Sequence, residues 1–225
     1  MRHSLYKYFD HLKWAEKFLE GEMLFRPLSY FRGCEDEARG DEYEGTSSYS
    51  PEEGLQITNH TQGTQFTIPW SFESSVKWHE ILVFCASRRF GYDLAKEFNA
   101  VACVEVTKIR ALCERVRAAL PSTATFKASR VAYYAQSENP TPRWALPEII
   151  ATSKLERWAY QDEFRFVFSL TDALTFQNVN TQLVRRRAPI QTKPEEHLTH
   201  PLQVGSLRDI CRLREVAYQS ATTVS

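Results

Sequence analysis

Residues Lys154–Leu170 read KLERWAYQDEFRFVFSL, and the fold is read outward from them. In the second half Phe164, Phe166 and Phe168 alternate with Glu163, Arg165 and Val167. A period of two with aromatics on one side predicts a half-buried strand. The triplet Gln161-Asp162-Glu163 stands where the chain enters that strand. A carboxylate there is held by a rigid element and is still within reach of a ligand, which suits a site residue. The same spacing equally admits a Glu163 that is paired with Arg165 or solvated.

Composition bounds the answer. The 225 residues are 43% hydrophobic and 13% aromatic, which describes a folded chain with enough length to bury a core. Lys plus Arg number 28 and Asp plus Glu number 28, so no global field draws in nucleic acid or an anionic membrane. No apolar run approaches the roughly 18 residues that span a bilayer, and the opening MRHSLYKYFDH lacks an apolar signal region. The five cysteines (Cys34, Cys85, Cys103, Cys113, Cys211) are odd in number and form no C-x-x-C pair. A reduced, cytoplasmic protein with no membrane attachment is the expectation.

Leu5–Phe9 is a short aromatic strand, after which Asp10 is placed to cap a helix running to about Glu20. Gly21 stops that helix, and Met23–Phe31 returns as a strand, with Pro27 marking an edge or bulge. Residues 32–46, RGCEDEARGDEYEGT, hold six acids against Arg32 and Arg39. They lack the spacing of a calcium loop and read as a solvated acidic loop, with divalent-metal binding as the rival. Residues 55–72 read as two strands joined by a polar turn at Gly63. EILVFCAS (80–87) and AVACVEV (100–106) read as central strands buried on both faces, separated by a short helix over 93–98. Lys108–Leu120 is a helix stopped by Pro121. Ser129–Tyr134 is a strand, Pro147 suits a helix start, and the segment 202–213 is expected to close the domain with a short helix capped at Gly205-Ser206. Arg185–Arg187 is the sole basic run, most simply a solvated face.

The six histidines are scattered without ligand spacing. There is no G-x-S-x-G elbow, Walker A loop or G-x-G-x-x-G. Cys85 and Ser87 end a buried strand with no base near them in sequence, so neither reads as a nucleophile. What remains is an aromatic and basic first strand, a Ser after a central strand, and Gln-x-Glu at a late strand. That layout resembles the ADP-ribosyltransferase fold. The chain is also similar to a family of uncharacterised bacterial and phage proteins. They open with L-Y-K-Y, carry an acidic segment ending in E-G or P-x-E, and close with K-x-x-x-W-x-Y-E-x-E-Y-R. The corresponding segments here are LYKY at 5–8, YFRGCEDEARGDEYEG at 30–45 and KLERWAYQDEFR at 154–165.

The resemblance implies an α+β fold with a split β-sheet core and a few flanking helices, one domain over 1–225 that frays from about residue 218. It further implies an NAD-dependent transferase that modifies a macromolecule, nucleic acid or protein, in phage–host conflict or a toxin system. Glu163 would stabilise the positive charge that builds on the ribose as nicotinamide leaves, with Gln161 facing the same ligand and Ser87 bracing Glu163 or the ribose. Lys7, Arg32 or both would meet the cofactor's pyrophosphate, Arg165 would also bind the cofactor, and Tyr6, Tyr8 or Tyr30 would stack on its rings. The sequence departs from the transferase pattern at the first strand, where Tyr6-Lys7-Tyr8 replaces the usual His or Arg. A lysine makes a point-charge contact where arginine binds bidentately. The rival is a non-catalytic binding module that uses the acids of 35–44 and Arg185–Arg187. A metal-dependent nuclease using those same acids is the third reading.

Overall fold

A computed structural model describes residues 4–34, 39–185 and 199–216. In chain order the elements are β1 (Leu5–Phe9), α1 (Leu12–Leu19), β2 (Glu22–Pro27), α2 (Leu28–Arg32), β3 (Thr46–Tyr49), β4 (Leu55–Asn59) and β5 (Thr64–Ile68). Then follow β6 (Trp70–Ser75), β7 (Leu82–Ser87), α3 (Tyr92–Glu97), β8 (Ala102–Val106), α4 (Ile109–Ala119), β9 (Thr125–Arg130) and β10 (Ala132–Tyr134). The last are α5 (Pro147–Ile150), β11 (Ser153–Leu155), β12 (Glu163–Ser169), β13 (Asn180–Arg185), β14 (His200–Gln203) and β15 (Cys211–Arg214). The fold is α+β. No helix among the described residues is long and apolar enough to cross a membrane.

The principal sheet has eight strands, and β7 is its pivot. One edge of β7 pairs along its whole length with β12, from Glu163↔Ser87 to Phe168↔Leu82, and β12 pairs onward with β9. The other edge is shared. Tyr6 of β1 lies opposite Ser87, whereas Arg26 and Pro27 of β2 lie opposite Val83 and Leu82. Cys85, between the two, pairs with neither strand. The sheet therefore splits on that side into a branch β1–β8–β15 and a branch β2–β14.

Each face of the sheet carries a core. On one, Ala15, Phe18 and Leu19 of α1 and Leu112 and Val116 of α4 pack against Phe84, Phe166 and Phe168. The rings of Phe18 and Phe84 stack 5.4 Å apart, and burying each such ring contributes about 1.5–3 kcal/mol. On the other, Leu28, Ile81, Val83, Ile150, Ala151 and Val167 form a second cluster. β12 is consequently buried on both faces, from Glu163 to Ser169, except for half-buried Phe164. The expected half-buried strand is corrected by the cover that residues 28–32, 41–46 and 147–155 provide.

Other expectations change for local reasons. Gln161 is not on the strand: residues 156–161 form a 3₁₀ helix, and Asp162 turns out of it in the left-handed conformation at φ 40°, which Asp tolerates. The strand expected over 23–31 ends at Pro27, which has no N–H to donate, and Leu28 opens α2. α1 begins after His11, which makes no side-chain cap bond, so Asp10 is not its cap. Residues 129–134 divide into β9 and β10, which join different sheets. Residues 202–213 hold no helix. β14 and β15 pair instead with β2 and β8, whose edges were available. The hairpin β4–β5 turns near Gly63 as expected. Of the basic run, Arg185 lies over the Trp70 ring, while residues 186–187, like the fraying expected from 218, lie outside the described residues.

Gly21 sits at φ 101°, where a Cβ would come within 2.2 Å of the Gly205 carbonyl oxygen. Gly21→Ala should lower unfolding free energy by about 2 kcal/mol or more, read as a lower urea midpoint with an unchanged slope.

Candidate functional site

The cleft opens where the sheet splits. It has a volume of about 110 Å³ and is lined by residues of β1, β7 and β12, with further side chains from Phe31, Arg39, Phe98, Lys154 and Gln161. Of the nine residues predicted from sequence, Tyr6, Lys7, Tyr8, Ser87, Gln161, Glu163 and Arg165 all line it. Tyr30 and Arg32 do not. The Arg26 guanidinium stacks on Tyr30, and Arg32 donates to the Glu44 carbonyl at 3.0 Å and to Thr46 Oγ1 at 3.1 Å. Arg32 thus holds the backbone of the acidic segment rather than a ligand.

At the floor is a buried ion cluster. Arg165, 1% exposed, donates from Nε to Glu163 Oε1 at 2.7 Å. Its two terminal nitrogens grip Glu44 at 2.5 and 2.7 Å, and Nη1 also reaches the Ala151 carbonyl. Lys154 Nζ lies 3.1 Å from Glu163 Oε2, 3.9 Å from Glu44 Oε2 and 3.2 Å from Gln161 Oε1. Burial alone would raise the Glu163 carboxyl, but Arg165 and Lys154 outweigh it and hold the group well below the usual carboxylate range. Glu44 goes the other way, since burial lifts it further than the same two cations draw it down. Burial likewise opposes the charge on Lys154, yet Glu163 and Glu44 carry it up to about 12.

The turn before Glu163 is pinned from several sides. Ser87 Oγ donates to the Gln161 carbonyl at 2.7 Å and accepts the Arg89 N–H at 3.0 Å. Its hydroxyl therefore braces the backbone leading into Glu163. The Glu163 N–H donates to Tyr133 Oη, and Arg88 clamps Asp162 through both backbone and side chain. Gln161 and Glu163 converge on the cleft because the left-handed Asp162 lies between them, not because an extended strand alternates.

Across the split, Lys7 leaves β1 on the face opposite to Tyr6 and Tyr8. Its ammonium passes 4.6 Å from the Phe84 ring centroid and donates to the Cys85 carbonyl at 2.8 Å. It thereby satisfies the acceptor that the division of the sheet left without a strand partner. Desolvation lowers its pKa, and Arg39 and Arg26 add to that fall. Tyr6 packs against Phe90. The Tyr8 hydroxyl donates to the Arg89 carbonyl and accepts the Gly91 N–H, and burial pushes its pKa up to about 12. Tyr8 positions the loop after β7 more than it faces a ligand.

No family model, curated protein or solved structure matches the chain. The geometry has to carry the reading.

Sequence reasoning placed Glu44 only among the acids of 35–44 offered to a partner or a metal, and gave no site role to Lys154, Arg39, Phe31 or Phe98. The signals for two of them were present. Glu44 is the Glu of the E-G that ends the acidic segment, and Lys154 opens the K-x-x-x-W motif. The solvated acidic loop is corrected here: Asp41 and Glu44 are both buried, because Arg165 and the 154–157 segment supply their partners. Glu35, Asp36 and Glu37 lie outside the described residues. Among the described residues no group of three or more His, Cys, Asp or Glu is arranged to hold a metal ion.

Removing one partner from a buried ion pair leaves the other charged and desolvated. Glu44→Leu should therefore cost about 3–5 kcal/mol in chemical denaturation. Glu163 predicts a pH signature. Its folded pKa lies below the unfolded value of about 4.3, so its stabilisation is full above that pH and is lost as pH falls through the folded value. The stability gap between wild type and Glu163→Gln should be flat from about pH 7 to 5 and shrink below about pH 4.

Proposed function

We propose that this chain is an ADP-ribosyltransferase-like enzyme that uses NAD at the split of its sheet to modify a macromolecule, nucleic acid or protein. The observation that carries the reading is a register. Tyr6, Ser87 and Glu163 lie opposite one another across three adjacent strands, β1, β7 and β12, at the cleft. These are the first, middle and late strands on which the resemblance places the working residues.

The side chains present suit NAD in kind. Tyr6, Phe31 and Phe98 offer ring faces, Lys7 and Arg39 offer cations, and Glu163 is an ionised carboxylate fixed at a strand mouth. Ligand pockets commonly run to about 300–1,000 Å³. At about 110 Å³ the enclosed cleft takes one ring-sized head and leaves the rest of a dinucleotide outside. Bound NAD would supply an electrophilic ribose carbon once its nicotinamide bond breaks. The protein's part is to keep Glu163 charged and oriented through Arg165, to fix the entry turn through Ser87, and to exclude water by the rings at the rim.

One observation favours a second reading, a non-catalytic binding module on the same scaffold. Glu163 accepts from Arg165 Nε and Nη2 and faces Lys154 Nζ, which together use most of its acceptor capacity and neutralise its charge. A carboxylate so engaged offers less to a developing cation.

The two readings separate on nicotinamide release from NAD by purified protein, followed alongside thermal stability. The transferase reading expects release by wild type and a loss of about 10²-fold or more in Glu163→Gln, with NAD still raising the melting temperature of both. Stabilisation by NAD with no release from wild type would leave the binding module standing.

A further inference from the structure

Residues 55–68 read LQITNHTQGTQFTI and form a ribbon of two strands, β4 and β5, which among the described residues pair only with each other. The ribbon lies apart from the cleft and supplies none of its lining. Its two faces differ. The pairs Leu55↔Ile68 and Ile57↔Phe66 place four apolar side chains on one face, and Gln56↔Thr67 and Thr58↔Gln65 place polar ones on the other. That alternation is the pattern of a sheet with one face covered, yet none of the four apolar residues joins a core cluster. Cover exists only at the base of the ribbon, where Leu55 is 7% exposed, while Phe66 is 51% exposed. An isolated two-stranded hairpin is marginal in water, and further strands are what make such a face stable.

The source of those strands follows from the edges and the charges. β4 comes close to β6, whereas β5 is exposed from Thr64 to Thr67 and, among the described residues, makes no backbone hydrogen bond beyond those to β4. Its outer edge therefore presents unpaired N–H and C=O groups. Folded proteins commonly guard such an edge with lysine, another charge or proline. Residues 55–68 contain no Asp, Glu, Lys, Arg or Pro, in a chain that is 25% charged. Freedom from charge matters most when the partner is an identical edge, because two-fold pairing sets a strand against its own sequence and brings like charges together.

We infer that β5 pairs antiparallel with β5 of a second copy of this chain, about a two-fold axis at Phe66. Phe66 of one copy then faces Phe66 of the other, Thr64 faces Ile68, and Gln65 faces Thr67. The product is a four-stranded sheet, β4–β5–β5–β4, with one continuous apolar face and a central pair of rings in place of two exposed ones. An isologous contact of this kind closes at two copies. It joins the five residues of β5 from each copy, so the dimer is weak and depends on concentration.

Sedimentation equilibrium of the full chain over a wide concentration range tests this. Wild type should pass from monomer to dimer and no further. Phe66→Glu, at an exposed position, should leave the urea midpoint unchanged and raise the dimer dissociation constant by about 10-fold or more, since it sets two carboxylates opposite each other. Gln65→Lys combined with Thr67→Glu should dimerise at least as well as wild type, because each new charge meets its opposite on the other copy. Gln65→Lys combined with Thr67→Lys should weaken the dimer by about 10-fold. These double variants carry the test should Phe66→Glu fail to fold. A wild type that stays monomeric overturns the inference, as does a dimer that Phe66→Glu leaves intact or that treats the two double variants alike. Assemblies that grow beyond two copies would mean head-to-tail pairing of β4 with β5. A monomer that instead co-sediments with phosphatidylcholine vesicles, and loses them in Phe66→Glu, would give the face to lipid. Either result overturns the inference too.

Discussion

Arg165 is held between two carboxylates that the chain brings from 121 and 2 residues away, and much of the structure exists to make that possible. A guanidinium with 1% exposure cannot be left short of acceptors without a cost of several kcal/mol. Its planar fork takes Glu44 bidentately on one side and Glu163 on another, with the Ala151 carbonyl as a further acceptor. Satisfying it requires the 41–46 segment to fold down over β12, which Arg32 secures from the backbone side. It also requires α5 and β11 to lie close enough for Lys154 to join. The ion cluster thus acts as a specification. Hydrophobic residues of similar volume would often be as stable there, but they would not fix the position of the Glu163 carboxylate.

The sheet topology sets the other constraint. A strand with one edge fully paired and the other divided between two partners must leave backbone groups unmatched at the division. Here Lys7 answers the Cys85 carbonyl, and the space beside it becomes the cleft. Site and fold irregularity are the same feature. That is a common arrangement physically, because regular pairing fills space and consumes donors, whereas a break in pairing leaves both room and directed polar groups.

Much of this was legible in the sequence, and the exceptions are instructive. Strands β1, β7, β8 and β12 and helices α1, α3 and α4 follow from apolar periodicity, which is a local signal. Of the seven nominated site residues that reach one cleft, six lie on those strands, and Gln161 reaches it from the 3₁₀ turn that leads into β12. Tyr30 and Arg32 were misplaced because Pro27 ends its strand earlier than the apolar pattern suggests. The burial of Glu44 was invisible for a different reason. An acidic loop looks solvated unless its cationic partner is known, and Arg165 lies 121 residues away. The strands β14 and β15 were missed because pairing to an open sheet edge is a long-range choice that short segments do not encode.

The two outermost strands of the longest path through the sheet, β14 beside β2 and β15 beside β8, both come from residues 200–214. During synthesis the edges of β2 and β8 therefore stay open while about 90 or more further residues are made, a period in which unpaired strand edges can template association with other chains. A single late segment pairs with both and becomes the outer strand of each branch. Its arrival also completes the first core, to which Leu202, Val204, Leu207, Ile210 and Cys211 belong, so edge pairing and burial finish in one late step.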